Sequence, residues 1–279
     1  MNHIEFTRQS PDKLQLYFQG WEPETSPRAV VCLVHGLGEL TGRYAHVAAA
    51  LIDAGYAVLG CDLRGHGKSG GPRGHTPSYD TLMDDTGCLL DEAAERYSDK
   101  PRFLYGHSLG GNLVLNYTLK RKPQLAGVVA TSPLIRTTNP APAVKITLGK
   151  LMYKLQPGMT MANGIPLDSL AHDPEIGRAY AADPLVHNKI TARLALDMLQ
   201  AGEWALAHAA EFPLPLLLVH GSAEEITSPA ATQEFAGKVR GDCTLKIWDG
   251  FYHETHNEPE KAEVLGFMIE WLQTHTTFQ

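Results

Sequence analysis

The sequence contains little cysteine, no cluster of basic residues and no long apolar run. Its 279 residues include four cysteines, at positions 32, 61, 88 and 243, and their spacing is not that of metal ligands. We therefore predict neither a metal nor a cofactor. No stretch reaches the roughly 18 consecutive apolar residues that a membrane-spanning helix needs. The composition is that of a globular protein, with 43% hydrophobic and 20% charged residues.

The charge balance bears on which partners are possible. Lysine and arginine number 24 against 31 aspartate and glutamate residues, a formal net charge of −7. Binding a phosphate backbone requires clustered cations, so we predict no nucleic-acid partner. Residues 1–5 lack the basic region followed by an apolar run that begins a secretory signal. Together with the scattered cysteines, this leads us to expect a cytoplasmic protein.

What the sequence does contain is an alternation of short apolar runs with segments of helical periodicity. The apolar runs cover residues 29–34, 56–61, 102–105, 125–131, 215–219 and 244–248. The helical segments include residues 44–54, 79–97, 111–120 and 229–239. Short apolar runs bounded by turn residues are typical of strands buried on both faces. After two antiparallel strands in about the first 20 residues, the pattern predicts an α/β fold with a mostly parallel sheet covered by helices on both faces.

One interval breaks this alternation. Between Pro133 and Pro213 no clear strand pattern appears, and six prolines divide residues 140–184 into short pieces. One helical face within the interval is apolar, consisting of Val144, Leu148, Leu151, Met152 and Leu155. We predict a helical cap at residues 136–188, inserted into a core formed by residues 1–135 and 189–279.

The most informative motif is Gly106-His107-Ser108-Leu109-Gly110, which lies between an apolar run and a helical segment. In the strand–turn–helix context, G-x-S-x-G forms a sharp turn that exposes the serine hydroxyl above the sheet. Glycines two residues before and after the serine avoid the clashes of this turn. A chance Gly-Ser-Gly turn is the alternative, but the flanking strand and helix argue against it. The motif predicts Ser108 as a nucleophile.

A nucleophilic serine needs a base and an acid, which follow it in the chain order Ser, acid, His. The run at 215–219 leads to Glu224 and Glu225, and the loop after the last run contains His253. We predict that His253 accepts the serine proton and that Glu224 orients it. The alternatives are Glu225 as the acid and His256 as the base.

The first long apolar run ends in His35-Gly36-Leu37-Gly38-Glu39. A glycine-rich loop at this position allows the backbone to approach a ligand closely. We predict that the backbone N–H groups of Leu37 and Leu109 form an oxyanion hole. The alternative is a glycine-rich turn without a catalytic role.

Over nearly its whole length the chain resembles the monoacylglycerol lipases of the α/β-hydrolase superfamily. The resemblance rests on HGLGE (35–39), GRY (42–44), DLRGHGKS (62–69), GHSLGG (106–111), SPL (132–134), HGSA (220–223), ITSP (226–229) and YHE (252–254). It implies an α/β-hydrolase core, hydrolysis of monoglycerides and related esters, and a mobile cap whose apolar mouth admits the acyl chain. The substrate contacts that it implies are Gly36, Glu39, Arg43, His107, Val144, Leu148, Leu151 and Met152. The implied partners are a lipid ester and, transiently through the cap, a membrane or micelle.

The chain departs from the family at the acid, where the family has aspartate and this sequence has Glu224. The extra methylene moves the carboxylate by up to about 1.5 Å, and a misplacement of about 1 Å can lower a rate 100-fold. Three alternatives follow from this departure: the loop compensates for the longer side chain, Glu225 takes the role of the acid, or the activity is reduced. Our prediction is that Glu224 keeps the role.

Other functions are compatible with these motifs. The neighbouring alternatives are a carboxylesterase of broader specificity and a lysophospholipase. A perhydrolase side activity could use the same residues. An alternative of another class is a catalytically weak hydrolase fold that serves as a small-molecule receptor.

Overall fold

The computed structural model describes residues 2–276, apart from the side chains of residues 143 and 145. Ten strands are present: β1 (Asn2–Gln9), β2 (Gln15–Glu22), β3 (Ala29–Val34), β4 (Tyr56–Cys61), β5 (Arg102–His107), β6 (Gly127–Thr131), β7 (Thr160–Ala162), β8 (Lys189–Thr191), β9 (Leu216–Gly221) and β10 (Cys243–Trp248). Eight of them form one sheet in the order β1-β2-β4-β3-β5-β6-β9-β10. Within this sheet the six strands β4, β3, β5, β6, β9 and β10 pair in parallel, whereas β1 and β2 pair antiparallel to their neighbours. This confirms the predicted fold class.

Helices cover both faces of the large sheet. They are α1 (Ala45–Asp53), α2 (Tyr79–Arg96), α3 (Leu109–Arg121), α4 (Ala143–Leu155), α5 (Pro174–Ala182), α6 (Ala192–Ala207), α7 (Pro229–Lys238) and α8 (Lys261–His275). One core layer packs the sheet against α2, α3, α6 and α7, and the other packs it against α1 and α8. The four predicted helical segments correspond to α1, α2, α3 and α7, with ends shifted by one or two residues.

Strand β3 shows why the apolar runs become central strands. All six of its residues are buried, and they alternate between the two core layers. Val30, Cys32 and Val34 face one layer, while Val31 and Leu33 face the other. Because each fully buried aliphatic side chain contributes about 1.5–3 kcal/mol, such a run is most stable with helices on both of its sides.

The interval without a strand pattern contains two strands after all. The three-residue strands β7 and β8 pair antiparallel, with Met161 opposite Ile190. They are too short to show an alternating pattern in the sequence. Strand β7 lies inside the predicted cap and β8 begins at its predicted end, so a boundary after residue 188 passes through this small sheet. Within residues 2–276 no helix is both long and apolar enough to cross a membrane.

Candidate active site

Ser108 lies in the sharp turn between β5 and α3. Its backbone has φ 54° and ψ −114°, a strained conformation for a residue with a side chain. A Cβ atom on Gly106 would clash with the carbonyl of Gly110, and one on Gly110 with the carbonyl of Val34. The Ser108 N–H donates to the carbonyl of Thr131 at 3.0 Å. Two adjacent strands therefore hold the turn closely.

His253 and Glu224 form a buried pair at the carboxyl end of the sheet. Nδ1 of His253 lies 2.6 Å from Oε2 of Glu224. Burial by itself would lower the pKa of His253, but the charge and hydrogen bond of Glu224 outweigh it, so this pKa lies above its ordinary value. Burial would likewise raise the pKa of Glu224, but the contacts of His253 and His220 outweigh it and hold this pKa well below its usual range. The carboxylate is thus anionic while the imidazole titrates.

The loop after β9 fixes both oxygens of Glu224. Oε1 accepts the N–H of Ile226 at 2.7 Å, and Oε2 accepts the hydroxyl of Thr227 at 3.2 Å. Nε2 of His220 lies 3.6 Å from the same Oε2, a contact longer than a hydrogen bond. These contacts place the longer glutamate side chain within reach of His253.

The two alternative residues have other partners. Oε2 of Glu225 accepts the hydroxyl of Ser169 at 2.5 Å. His256 is buried and stacks on Tyr44, with ring centroids 5.0 Å apart. Burial, together with neighbouring histidine and arginine charges, holds the pKa of His256 well below its ordinary value. The hydrogen-bonded pair beside Ser108 is therefore His253 with Glu224.

Ser108 and His253 line a narrow cavity of about 20 Å³. Its volume holds about one water molecule. Its walls are Gly36, Leu37, Glu39, His107, Ser108, Ile165, Leu170, Tyr180, His253 and Glu254. Six of these residues were singled out from the sequence, and three others belong to the predicted cap. In residues 2–276 no group of three or more His, Cys, Asp or Glu side chains is arranged to hold a metal ion.

His107 forms part of the cavity wall beside Ser108. Its Nδ1 lies 3.0 Å from the hydroxyl of Thr131, and its ring centroid lies 4.7 Å from that of His253. Burial and the neighbouring His253 lower the pKa of His107 to about 3, so it is neutral at pH 7. Leu109 is buried as the first residue of α3, whereas Leu37 lines the cavity. The use of their N–H groups as an oxyanion hole stays a prediction.

Glu39 and Arg43 are bound to protein groups in this structure. Arg43 Nη1 lies 2.5 Å from Glu39 Oε2, and the guanidinium forms two further bonds to Glu254, at 2.7 and 2.8 Å. The ring of Tyr180 lies over the guanidinium, 4.8 Å from its carbon to the ring centroid. Glu39 lines the cavity, whereas Arg43 is not among the described residues that line it. This network braces the 35–39 loop against the loop of His253.

The predicted cap contacts with substrate lie away from the cavity. None of the four residues, Val144, Leu148, Leu151 and Met152, is among the described residues that line it. The first three have 74%, 58% and 51% of their surface exposed. Their role in substrate entry stays a prediction.

Sequence reasoning missed two polar residues that hold the site together. Ser132, with φ 42°, donates its hydroxyl to the carbonyl of His253 at 2.7 Å. Tyr180 donates its hydroxyl to the carbonyl of Leu37 at 3.3 Å. Ser132 lies in the SPL motif, which was a usable signal, whereas Tyr180 is distant in sequence from every motif.

Comparison with known proteins finds relatives over most of the chain. The family model Hydrolase_4, described as serine aminopeptidase S33, matches residues 25–260. A monoacylglycerol lipase of Mycolicibacterium smegmatis is 35% identical over 264 residues, which cover 94% of each chain. The crystal structure of the Paleococcus ferrophilus monoacylglycerol lipase superposes with a TM-score of 0.83 at 33% identity, covering 99% of this chain and 100% of that one. An uncharacterized abhydrolase domain-containing protein of Dictyostelium discoideum is 42% identical over 94% of this chain, which spans 28% of that protein's length.

Proposed function

The chain belongs to the Hydrolase_4 family, and on that premise we propose that it hydrolyses monoacylglycerols to glycerol and fatty acid. The observation that carries the proposal is the hydrogen bond of 2.6 Å between His253 and Glu224, in a cavity that both His253 and Ser108 line. A strained serine, a buried imidazole and a buried carboxylate form the constellation used for acyl transfer. The relatives named as monoacylglycerol lipases support the substrate class.

The reaction follows from the protonation states of the site. The hydroxyl of Ser108 attacks the ester carbonyl carbon while Nε2 of His253 accepts its proton. The tetrahedral oxyanion is bound by the N–H groups of Leu37 and Leu109. The intermediate then collapses, the ester C–O bond breaks, and His253 returns the proton to the departing glycerol oxygen.

The acyl-enzyme is hydrolysed by the same groups. His253 removes a proton from water, whose oxygen attacks the acyl carbon. The bond between that carbon and Oγ of Ser108 then breaks, the fatty acid leaves, and His253 returns the proton to Oγ. In both halves Glu224 keeps the proton of His253 on Nδ1 and stabilises the imidazolium. Its low pKa suits that role, because it remains anionic at every pH at which His253 titrates.

A cavity of about 20 Å³ cannot hold an acyl glycerol. Three residues of the 136–188 segment line this cavity beside Ser108, namely Ile165, Leu170 and Tyr180. Substrate entry therefore requires that these three residues move away from Ser108. We propose that this segment is a cap that opens to admit the ester.

The outer side of the same segment supports contact with a membrane or micelle. The apolar strip, which we define as Val144, Leu148, Leu151, Leu155, Met159 and Met161, contains all of the exposed large hydrophobic residues recorded for the described part of the chain. An amphipathic helix with one apolar side binds at a lipid interface. Free cysteines at all four positions suit a reducing compartment, and we propose the cytoplasm.

A fluorophosphonate probe and a panel of esters test the proposal. The native chain is expected to be labelled covalently and Ser108→Ala is not. The panel contains monoacylglycerols of increasing acyl length, nitrophenyl esters and lysophosphatidylcholine, with glycerol release as the readout for the first group. An unlabelled native chain would support the receptor alternative. Cleavage of two- to four-carbon acyl esters alone would contradict monoacylglycerol as the substrate.

A further inference from the structure

Glu258 is a fully buried carboxylate to which the reaction assigns no step. It lies between the loop of His253 and α8. Its Oε1 accepts the N–H of Tyr252 at 2.6 Å. Its Oε2 accepts the backbone N–H of His172 at 3.0 Å and lies 2.9 Å from Nδ1 of the same residue. A buried carboxylate is stable only when its oxygens are satisfied, so Glu258 ties together the two segments that supply these donors.

One of those segments belongs to the predicted cap. Residues 169–172, which we call the cap segment, run beside residues 252–254. The carbonyl of Ser169 accepts the N–H of His253 at 3.4 Å, and the carbonyl of Leu170 accepts the N–H of Glu254 at 2.7 Å. The rings of His172 and Tyr252 stack with centroids 3.9 Å apart. The backbone is therefore bonded to the cap segment at His253 itself and at the residue that follows it.

We propose that Glu258 and His172 are positioning residues for His253, so that the cap segment holds the base in place in addition to lining the cavity at Ser108 through Leu170. Glu258 acts through the backbone of Tyr252 and His172 acts through Glu258. This inference rests on the proposed function, because it requires His253 to be the general base. Its physical basis is that proton transfer depends on geometry, and a displacement of about 1 Å can reduce the rate 100-fold.

The first test replaces Glu258 with glutamine. A glutamine has one acceptor oxygen and one NH₂ group, so its NH₂ group would oppose either the N–H of Tyr252 or the donors of His172. We expect kcat on a monoacylglycerol to fall by about 10- to 100-fold, with a smaller change in KM. Glu260→Gln is the matched control, because Glu260 is an exposed glutamate two residues further along the same loop. It should behave as the native chain does.

The second test changes His172, whose side chain is 47% exposed, so that the fold is preserved. His172→Phe keeps a ring to stack on Tyr252 but removes the donor to Glu258. His172→Asn restores a donor near the position of Nδ1. The expected order of kcat is native, then His172→Asn, then His172→Phe.

A pH profile distinguishes positioning from a general loss of stability. The contact with Glu224 raises the pKa of His253. A looser loop weakens that contact, so the pKa of His253 falls. The acidic limb of the kcat/KM profile should therefore move to lower pH in Glu258→Gln and His172→Phe, but not in Glu260→Gln. If these two variants lose thermal stability while kcat and the acidic limb are unchanged, the inference is wrong. It is also wrong if His172→Asn and His172→Phe have equal kcat. Should the native chain itself fail to react with the fluorophosphonate, the proposed function fails instead.

Discussion

Hydrogen bonds to its two carboxylate oxygens determine the position of the Glu224 side chain. The carboxylate of Glu224 is held at Oε1 by the N–H of Ile226 and at Oε2 by the hydroxyl of Thr227, and His253 then lies within 2.6 Å. The loop is built around the length of a glutamate. An aspartate at this position would place its carboxylate one methylene short of these partners.

Substitutions at 224 and 225 test this assignment. Glu224→Gln should lower kcat by roughly 10⁴-fold, the loss that an amide in place of the acid causes in serine proteases, because its NH₂ group favours the wrong histidine tautomer. Glu224→Asp should lower kcat by about 10- to 100-fold through misplacement. In the native chain the acidic limb of kcat/KM should lie above the ordinary pKa of histidine, because the contact with Glu224 raises the pKa of His253, and it should move to lower pH in Glu224→Gln.

Glu225→Gln is the matched control for these variants. Its side chain contacts Ser169, and glutamine retains an acceptor for that hydroxyl. Steady-state kinetics on a soluble ester should therefore show little change. A large loss in Glu225→Gln together with a small one in Glu224→Gln would transfer the role of the acid to Glu225.

Among the secondary-structure elements, the turn from β5 to α3 depends most strictly on its sequence. The start of α3 packs against the end of β3, where the carbonyls of Val34 and His35 leave no space beside Gly110. The strained backbone of Ser108 is maintained by this close approach and by the hydrogen bond to Thr131. The glycines of the motif are thus required by packing between elements as well as by the turn itself.

Gly110→Ala tests this packing. The added Cβ would meet the backbone of β3, which cannot move without disturbing the sheet, so we expect destabilisation by about 1–3 kcal/mol, measured by urea unfolding. The control is Gly237→Ala in α7, where an added Cβ meets no atom within 4 Å. That change should stabilise the chain by about 0.4–1 kcal/mol. Equal free energies of unfolding for the two variants would contradict the proposed role of Gly110.

At the scale of the whole molecule, apolar surface is distributed unevenly. The exposed large hydrophobic residues of the described chain all lie in the apolar strip, between residues 144 and 161. A contiguous apolar patch on a globular protein usually marks an interaction site. The apolar strip lies on the same segment that lines the cavity at Ser108. Binding of the strip to a membrane or micelle would therefore bring the active site to the surface that contains the lipid substrate.

Leu155→Ser combined with Met159→Ser tests this arrangement without altering a predicted substrate contact. We expect binding to phosphatidylcholine vesicles to weaken by about tenfold or more, because each leucine-sized side chain transferred from water contributes about 1.5–3 kcal/mol. Hydrolysis of monoacylglycerol in vesicles should fall in parallel, while that of a soluble nitrophenyl ester is unchanged. Gln156→Ser, a polar change on the same exposed turn, is the control. Equal vesicle binding by the double variant and the native chain would contradict the role of the strip.

The sequence by itself determined the central strands and the sharp turn that contains Ser108. Apolar runs such as residues 29–34 specify burial on both faces, and the glycines around Ser108 specify a turn, because both signals depend only on neighbouring residues. The sequence also predicted that the loops of Glu224 and His253 meet, since chain order assigns both loops to one edge of a parallel sheet.

Only the tertiary structure decided which glutamate contacts His253 and what holds Arg43. Glu224 and Glu225 are adjacent in the chain but have different partners. The N–H of Ile226 donates to the carboxylate of Glu224, and the hydroxyl of Ser169 donates to that of Glu225. Arg43 pairs with Glu254, which is 211 residues away in the chain. The direction of a loop side chain is fixed by contacts between segments that are distant in sequence, and no local pattern encodes those contacts. The same reason left the pairing of β7 with β8 and the burial of Glu258 unpredicted.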